Sequence, residues 1–127
     1  MFDPALMVER LSAVLKILER IPRRFSGIKT ADDFIADDAG IDGMDAICMN
    51  LIAVGEEIKQ IDRKTDGELF SRYPSVDWQG VKGVRNVLAH GYFDVDHEEL
   101  FAICQNDIPQ LIETIRTILE DLTNGPA

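Results

Sequence analysis

The stretch Val84-Arg85-Asn86-Val87-Leu88-Ala89-His90-Gly91-Tyr92 gathers a cation, an amide, an imidazole and a phenol within eight residues of an otherwise apolar segment. Arg85 carries a charge that cannot be titrated away. His90 can gain or lose a proton near neutral pH, and Tyr92 can donate, accept or be modified. Metal-free cleavage of RNA needs a base for the 2′-hydroxyl, an acid for the leaving oxygen and a cation over the developing charge. His90 and Arg85 supply one titrating group and one cation, so a single chain is incomplete. Two chains meeting around this segment would place two His90 and two Arg85 in one cleft. A competing reading is purely structural: arginine, asparagine and histidine near a helix C-terminus bond its orphan carbonyls and favour its negative pole. The clustering with Tyr92 and with Lys82, a supporting cation one turn earlier, exceeds what capping needs.

The chain that presents this segment is 127 residues long and 46% apolar. That suffices for one domain over residues 1–127 with a core that needs no staples. Cys48 and Cys104 sit in apolar periodic runs with no metal-ligand spacing and read as small hydrophobes in a reduced cytoplasm. The longest apolar runs are too short to cross a bilayer, and the N-terminus lacks a basic region followed by an apolar one. These features predict a cytoplasmic protein without a membrane span. The net charge of −10, from 23 acids against 13 bases, disfavours broad attraction to nucleic acid. Residues 71–93 nevertheless carry Arg72, Lys82 and Arg85 against Asp77 alone, a small cationic site suited to a phosphate.

The elements that must position the segment follow from the apolar period. Met7, Leu11, Val14, Leu15, Leu18 and Ile21 predict a helix from about Pro4, capped by Asp3, to the low twenties near Pro22. Arg23-Arg24 complement its dipole or stay solvated, with an RNA contact as the lesser alternative. Residues 26–43 read as a solvated acidic loop whose Thr30 could cap a short helix through Phe34 and Ile35; calcium-loop spacing is absent. A second helix, roughly Ile41 to Arg63, carries Met44, Ile47, Cys48, Leu51, Val54, Ile58 and Ile61. Gly55 inside it costs about 1 kcal/mol relative to alanine, a cost that close approach of another helix would offset. Glu56 and Glu57 read as exposed acids, with pairing to a motif cation as the alternative. A third helix starts at Ser75 or Asp77 and runs to Gly91. Its Asn86 and His90 lie four apart, one above the other. The last helix opens at Asp96-His97-Glu98-Glu99, a capping-box spacing with His97 as an exposed residue without a role. Pro109 either kinks that helix or starts another capped by Asn106 or Asp107. With no alternating strand pattern, the expected fold is all-α: an antiparallel four- to five-helix up-and-down bundle.

Arg85-Asn86 followed by His90-Gly91-Tyr92 fits the pattern Arg-x4-His-x-Tyr. With Leu51-Ile-Ala-Val-Gly55-Glu-Glu, Tyr73-Pro74 up to Trp78, and Asn106-Asp107-Ile-Pro109-Gln-Leu111, the sequence resembles the HepT-like proteins of the HEPN superfamily over most of its length. The resemblance implies a dimeric helical bundle acting as the RNase toxin of a toxin–antitoxin pair. Its partner would be a small MNT-type nucleotidyltransferase antitoxin, and it would need no cofactor and no metal. Arg85 and His90 would be the catalytic pair and Asn86 their polar neighbour. Tyr92 would be the hydroxyl the antitoxin modifies with AMP. The segment from Phe25 to Asp45 is more acidic than the resemblance leads one to expect, and near the cleft it would repel RNA. Two rivals stand beside the nuclease: a non-catalytic helical partner of a small nucleotidyltransferase that binds nucleotide or substrate, and a plain helical interaction protein.

Overall fold

Asp3 and Pro4 begin the first helix as their order predicts. The computed structural model describes residues 2–88 and 95–125, and helices dominate these, with no strand among them. In α1 (Pro4–Leu18) the Asp3 carboxylate accepts from the Ala5 N–H at 3.0 Å. Met7, Leu11, Val14 and Leu18 form its buried stripe. The chain turns slightly at Glu19 and resumes as α2 (Arg20–Phe25). Pro22 thus lies inside a helix that reaches Phe25, because a proline in a first turn forfeits an N–H that has no helical partner anyway.

A 3₁₀ turn, Ala31–Phe34, follows. Its Asp33 carboxylate accepts from the N–H groups of Lys29 (2.7 Å) and Thr30 (3.0 Å), which hold it below the usual aspartate range. Phe34 is buried beneath the turn, near the Phe25 ring, which in turn lies 5.2 Å from Phe101.

The central rod is α3 (Asp38–Lys64), three residues longer at its start than the apolar period indicates, because Asp37 caps it by accepting from the Gly40 N–H at 2.8 Å. It ends with Asp66 at φ 52° and Gly67 at φ 74°. The N–H of Gly67 bonds the Asp62 carbonyl (2.9 Å) and that of Asp66 the Arg63 carbonyl (3.2 Å), a left-handed closure that satisfies the last carbonyls. α1 and α2 run antiparallel to α3, since Arg10 pairs with Glu57 while Arg24, further along, bonds Asn50.

A short helix, α4 (Glu68–Ser71), leads to Tyr73-Pro74, where the Trp78 indole N–H donates to the Tyr73 carbonyl at 2.8 Å and stacks on Phe70 at 4.2 Å. The Tyr73 hydroxyl donates to Asp121 at 2.6 Å, and burial with this acceptor pushes its pKa up to about 12.

The third predicted helix is not continuous. Asp77 caps α5 (Trp78–Lys82), the chain turns at Gly83, and α6 (Val84–Leu88) follows. Glycine holds a helix poorly, and at Gly83 the bonding shifts to a three-residue step, with the Asn86 N–H on the Gly83 carbonyl at 3.0 Å.

The last rod is α7 (His97–Ala102), a π-helical turn over Ile103–Asp107, and α8 (Ile108–Asn124). Asp96 caps it through the Glu99 N–H at 3.0 Å. Of the two expectations for Pro109 the second is met in position: α8 starts at Ile108 with Pro109 in its first turn and Asp107 at the cap, although Asp107 stays helical, makes no side-chain cap bond, and is joined to α7 through the π turn. α8 packs on α1, and α1 on α3, so the core lies between three rods. No helix among the described residues is long and apolar enough to cross a membrane.

Gly55 sits where α3 meets α5 and α6. A Cβ there would lie 2.7 Å from the Val81 carbonyl oxygen and 3.3 Å from Val84 Cγ1. The close approach expected from the sequence is present. Gly43, on the same helix, has nothing within 4 Å of such an atom. Gly55→Ala is therefore expected to destabilise by about 1–3 kcal/mol through overpacking, whereas Gly43→Ala gains roughly 0.5–1 kcal/mol from helix propensity. Paired denaturant titrations check the opposite signs.

Cys48 and Cys104 are free and buried, and burial raises their thiols to about 11 and about 12. In the folded chain the thiolate of Cys48 is roughly one part in a thousand at pH 8. Alkylation of both cysteines should be slow until denaturant is added. Because the folded values are raised, the stability from these neutral thiols is complete below the unfolded value of about 8.5 and falls as pH rises beyond it.

Candidate functional site

Val84 and Leu88 are buried against the core, which turns Arg85, Asn86 and Val87 outward. Beside them an open groove of about 410 Å³ runs between α3 and the α5–α6 pair. Its walls are Glu56 and Lys59 from α3, Gln79 and Lys82 from α5, then Gly83, Arg85 and Asn86. The structure thus brings together Lys82, Arg85 and Asn86, as their spacing predicts. His90 and Tyr92, with the expected helix stop at Gly91, lie outside the described residues.

The positive stretch read from residues 71–93 is largely neutralised in three dimensions. Arg72 pairs with Glu68 at 2.8 Å and lies over the Phe2 ring. The Lys82 ammonium is half-buried and bonds the Asp62 carboxylate at 2.8 Å. Arg85 is exposed and, among the described residues, stands in no ion pair. Of the two acids after Gly55, Glu57 turns to Arg10 on α1, while Glu56 enters the groove and lies 3.6 Å from Lys59. The groove can therefore receive an anionic oxygen at Arg85, with the amides of Asn86 and Gln79 as donors.

Lys59 and Gln79 are absent from the residues singled out by sequence. Each had a signal: Lys59 follows Gly55 by one helical turn, and Gln79, Lys82 and Asn86 repeat at helical steps. His97 is a correction. It is not an idle exposed residue, because its Nε2 lies 3.2 Å from Asp32 Oδ1 and ties the acidic turn to α7. One residue earlier the Asp96 N–H donates to the Leu88 carbonyl at 2.8 Å, so that turn is close to the end of α6. Arg24 is a second correction: its guanidinium donates to the buried Asn50 amide oxygen at 2.7 Å instead of standing in solvent or only complementing the dipole.

A candidate RNase of Methanocaldococcus jannaschii, MJ0127, is 29% identical over 98 residues, covering 77% of this chain and 75% of that protein. A second from the same organism, MJ0434, described as a gamma-glutamylcyclotransferase and candidate RNase, is 30% identical over 88% of this chain, which spans 47% of that longer protein. A candidate RNase of Caldanaerobacter subterraneus subsp. tengcongensis, TTE0752, is 26% identical over 87% of this chain and 91% of its own length. No solved structure matches the chain significantly. The family model described as "Ribonuclease HepT-like" matches residues 14–118, a span from the middle of α1 to late α8 that includes the whole groove; the chain belongs to the HepT-like ribonuclease family.

Proposed function

We propose that this chain is a metal-independent RNA endonuclease that works as a homodimer, with Arg85 and His90 of both protomers facing one cleft. The observation that carries the reading is Arg85. It is an exposed guanidinium at the edge of a polar groove, in no ion pair among the described residues, while Arg72 and Lys82 are each held by a carboxylate. A fixed cation kept free on an acidic protein suits a phosphate whose charge grows as its ester bond breaks. Membership in the family and the relatives described as RNases support RNA as the substrate.

In this reading His90 moves the proton, Arg85 stabilises the developing negative charge, and Asn86 donates to a non-bridging oxygen. Lys82, already bonded to Asp62, braces the groove wall without offering a free charge. Tyr92 is the acceptor of AMP from an MNT-type nucleotidyltransferase, which makes the chain the toxin of a toxin–antitoxin pair. The added phosphate would neutralise the Arg85 field and fill the cleft.

One observation favours a rival. The acidic turn is fastened through Asp32 and His97 close to the end of α6, where it opposes RNA. A non-catalytic partner that only presents Tyr92 to the nucleotidyltransferase would tolerate this.

Single-stranded RNA incubated in EDTA decides between them. The wild type should cut, and Arg85→Ala and His90→Ala should each lower the rate by at least ~10²-fold. Arg85→Ala should leave the melting curve nearly unchanged, since exposed substitutions stay within about 0.5 kcal/mol. Cleavage that survives His90→Ala, or that EDTA abolishes, overturns the reading. Separately, incubation with ATP and an MNT-type nucleotidyltransferase should add AMP to the wild type and stop its cleavage. Tyr92→Phe should resist both effects, and AMP found on another residue would discard the role given to Tyr92.

A further inference from the structure

Outside the groove the cations are not evenly spread. Between Leu11 and Ala31 the chain carries Lys16, Arg20, Arg23, Arg24 and Lys29 against Glu19 alone, on a protein of net charge −10. Glu19 does not neutralise them, because its carboxylate reaches Arg116 on α8 at 2.9 Å. Among the described residues none of the five is in an ion pair, although the protein has 23 acids.

Their placement is ordered. Lys16, Arg20 and Arg23 follow one another at four- and three-residue steps, and the backbone at Glu19 stays right-handed helical (φ −69°, ψ −14°). The three exposed side chains therefore stand in a row opposite the buried Val14, Leu18 and Ile21. The row is about 10 Å long from Lys16 to Arg23 at the helical rise. Arg24 lies beside it, fixed through Asn50. The helix dipole accounts for cations in the last turn, hence Arg23 and Arg24. It also covers Lys16 in the last turn of α1, but not Arg20, which opens α2 and repels Lys16 one turn back.

We infer that this row is a second contact for the phosphodiester backbone of RNA, an anchor separate from the groove at Arg85. The inference rests on the RNA reading above. Arginine forks match phosphate oxygens two at a time, and a row of them tracks a backbone without reading its sequence. The anchor is not in the groove. Arg24 bonds α3 at Asn50 and α5–α6 touch it at Gly55, positions turned by about 140° around the helix. The row therefore strengthens binding and leaves the chemical step alone.

The test uses the full chain carrying His90→Ala and a single-stranded RNA, with affinity followed against salt. Adding Arg20→Gln and Arg23→Gln should raise Kd about tenfold or more and flatten the salt dependence by ~0.7 per cation removed. The pair Arg72→Gln and Arg116→Gln removes the same charge from outside the row and should change Kd far less. Equal weakening by both pairs would mean that only net charge matters, and the anchor falls. Unchanged binding in the Arg20 and Arg23 variant would also overturn it and leave the row to an acidic protein partner. A parent that binds no RNA removes it as well. Cleavage kinetics in an otherwise wild-type chain separate this idea from the nuclease itself. Arg20→Gln with Arg23→Gln should raise KM with kcat unchanged. Cleavage with an unaltered KM overturns the anchor and keeps the nuclease; row-dependent binding without any cleavage keeps the anchor and removes the nuclease.

Discussion

A missing side chain at Gly55 is the constraint on which the arrangement depends. The Val81 carbonyl lies within contact distance of where a Cβ would be, so α5 and α6 settle directly onto the backbone of α3. That contact buries Val84 and Leu88, and on so short a helix two inward residues decide which way the others face. Arg85 and Asn86 point out because Val84 and Leu88 point in. The glycine lowers the intrinsic helicity of α3, and the tight packing it permits compensates.

The distribution of charge depends on the same packing. With α5 pressed against α3, the Lys82 ammonium reaches Asp62 and is held there in a half-buried pair. Arg72 finds Glu68 one turn back on α4, and Arg10 finds Glu57 across the α1–α3 contact. Each pairing removes a cation from the set that could meet an anion, and among those left are Arg85 at the groove and the row on α1 and α2. An acidic protein is thereby left with positive charge confined to places where no carboxylate of its described residues reaches it. Exposed pairs of this kind contribute little stability. Their larger effect here is to decide which cations stay free.

Much of the fold was legible in the residues. The apolar periods of α1, α3 and α8 fixed the rods, and Asp3, Asp77 and Asp96 capped helices as their positions indicate. The places where the reading failed share a cause: each is a local backbone adjustment that periodicity cannot register. A break at Gly83 divides the third helix, yet the apolar residues on either side keep their steps. The new helix at Pro109 is where the residues put it, but the π turn that joins it to α7 leaves no mark on the apolar steps. Asp37 extends α3 through residues whose side chains carry no apolar signal. His97 looked idle because its partner, Asp32, is 65 residues away in sequence.

For the site, the sequence alone determined which groups were present and which neighbours shared a helical face: Lys82, Arg85 and Asn86 are close because helical steps make them so. It also determined the charge of each group. Whether that charge is available was decided only by the tertiary structure, since Lys82 and Arg72 are compensated by acids a composition window does not weigh against them. Lys59 and Gln79 became neighbours of Arg85 through the docking of one helix on another at Gly55. The physical reason is one of range. Periodicity records interactions between residues three and four apart, whereas ion pairing and groove formation are set by distances across helices, which follow from how closely the rods can approach.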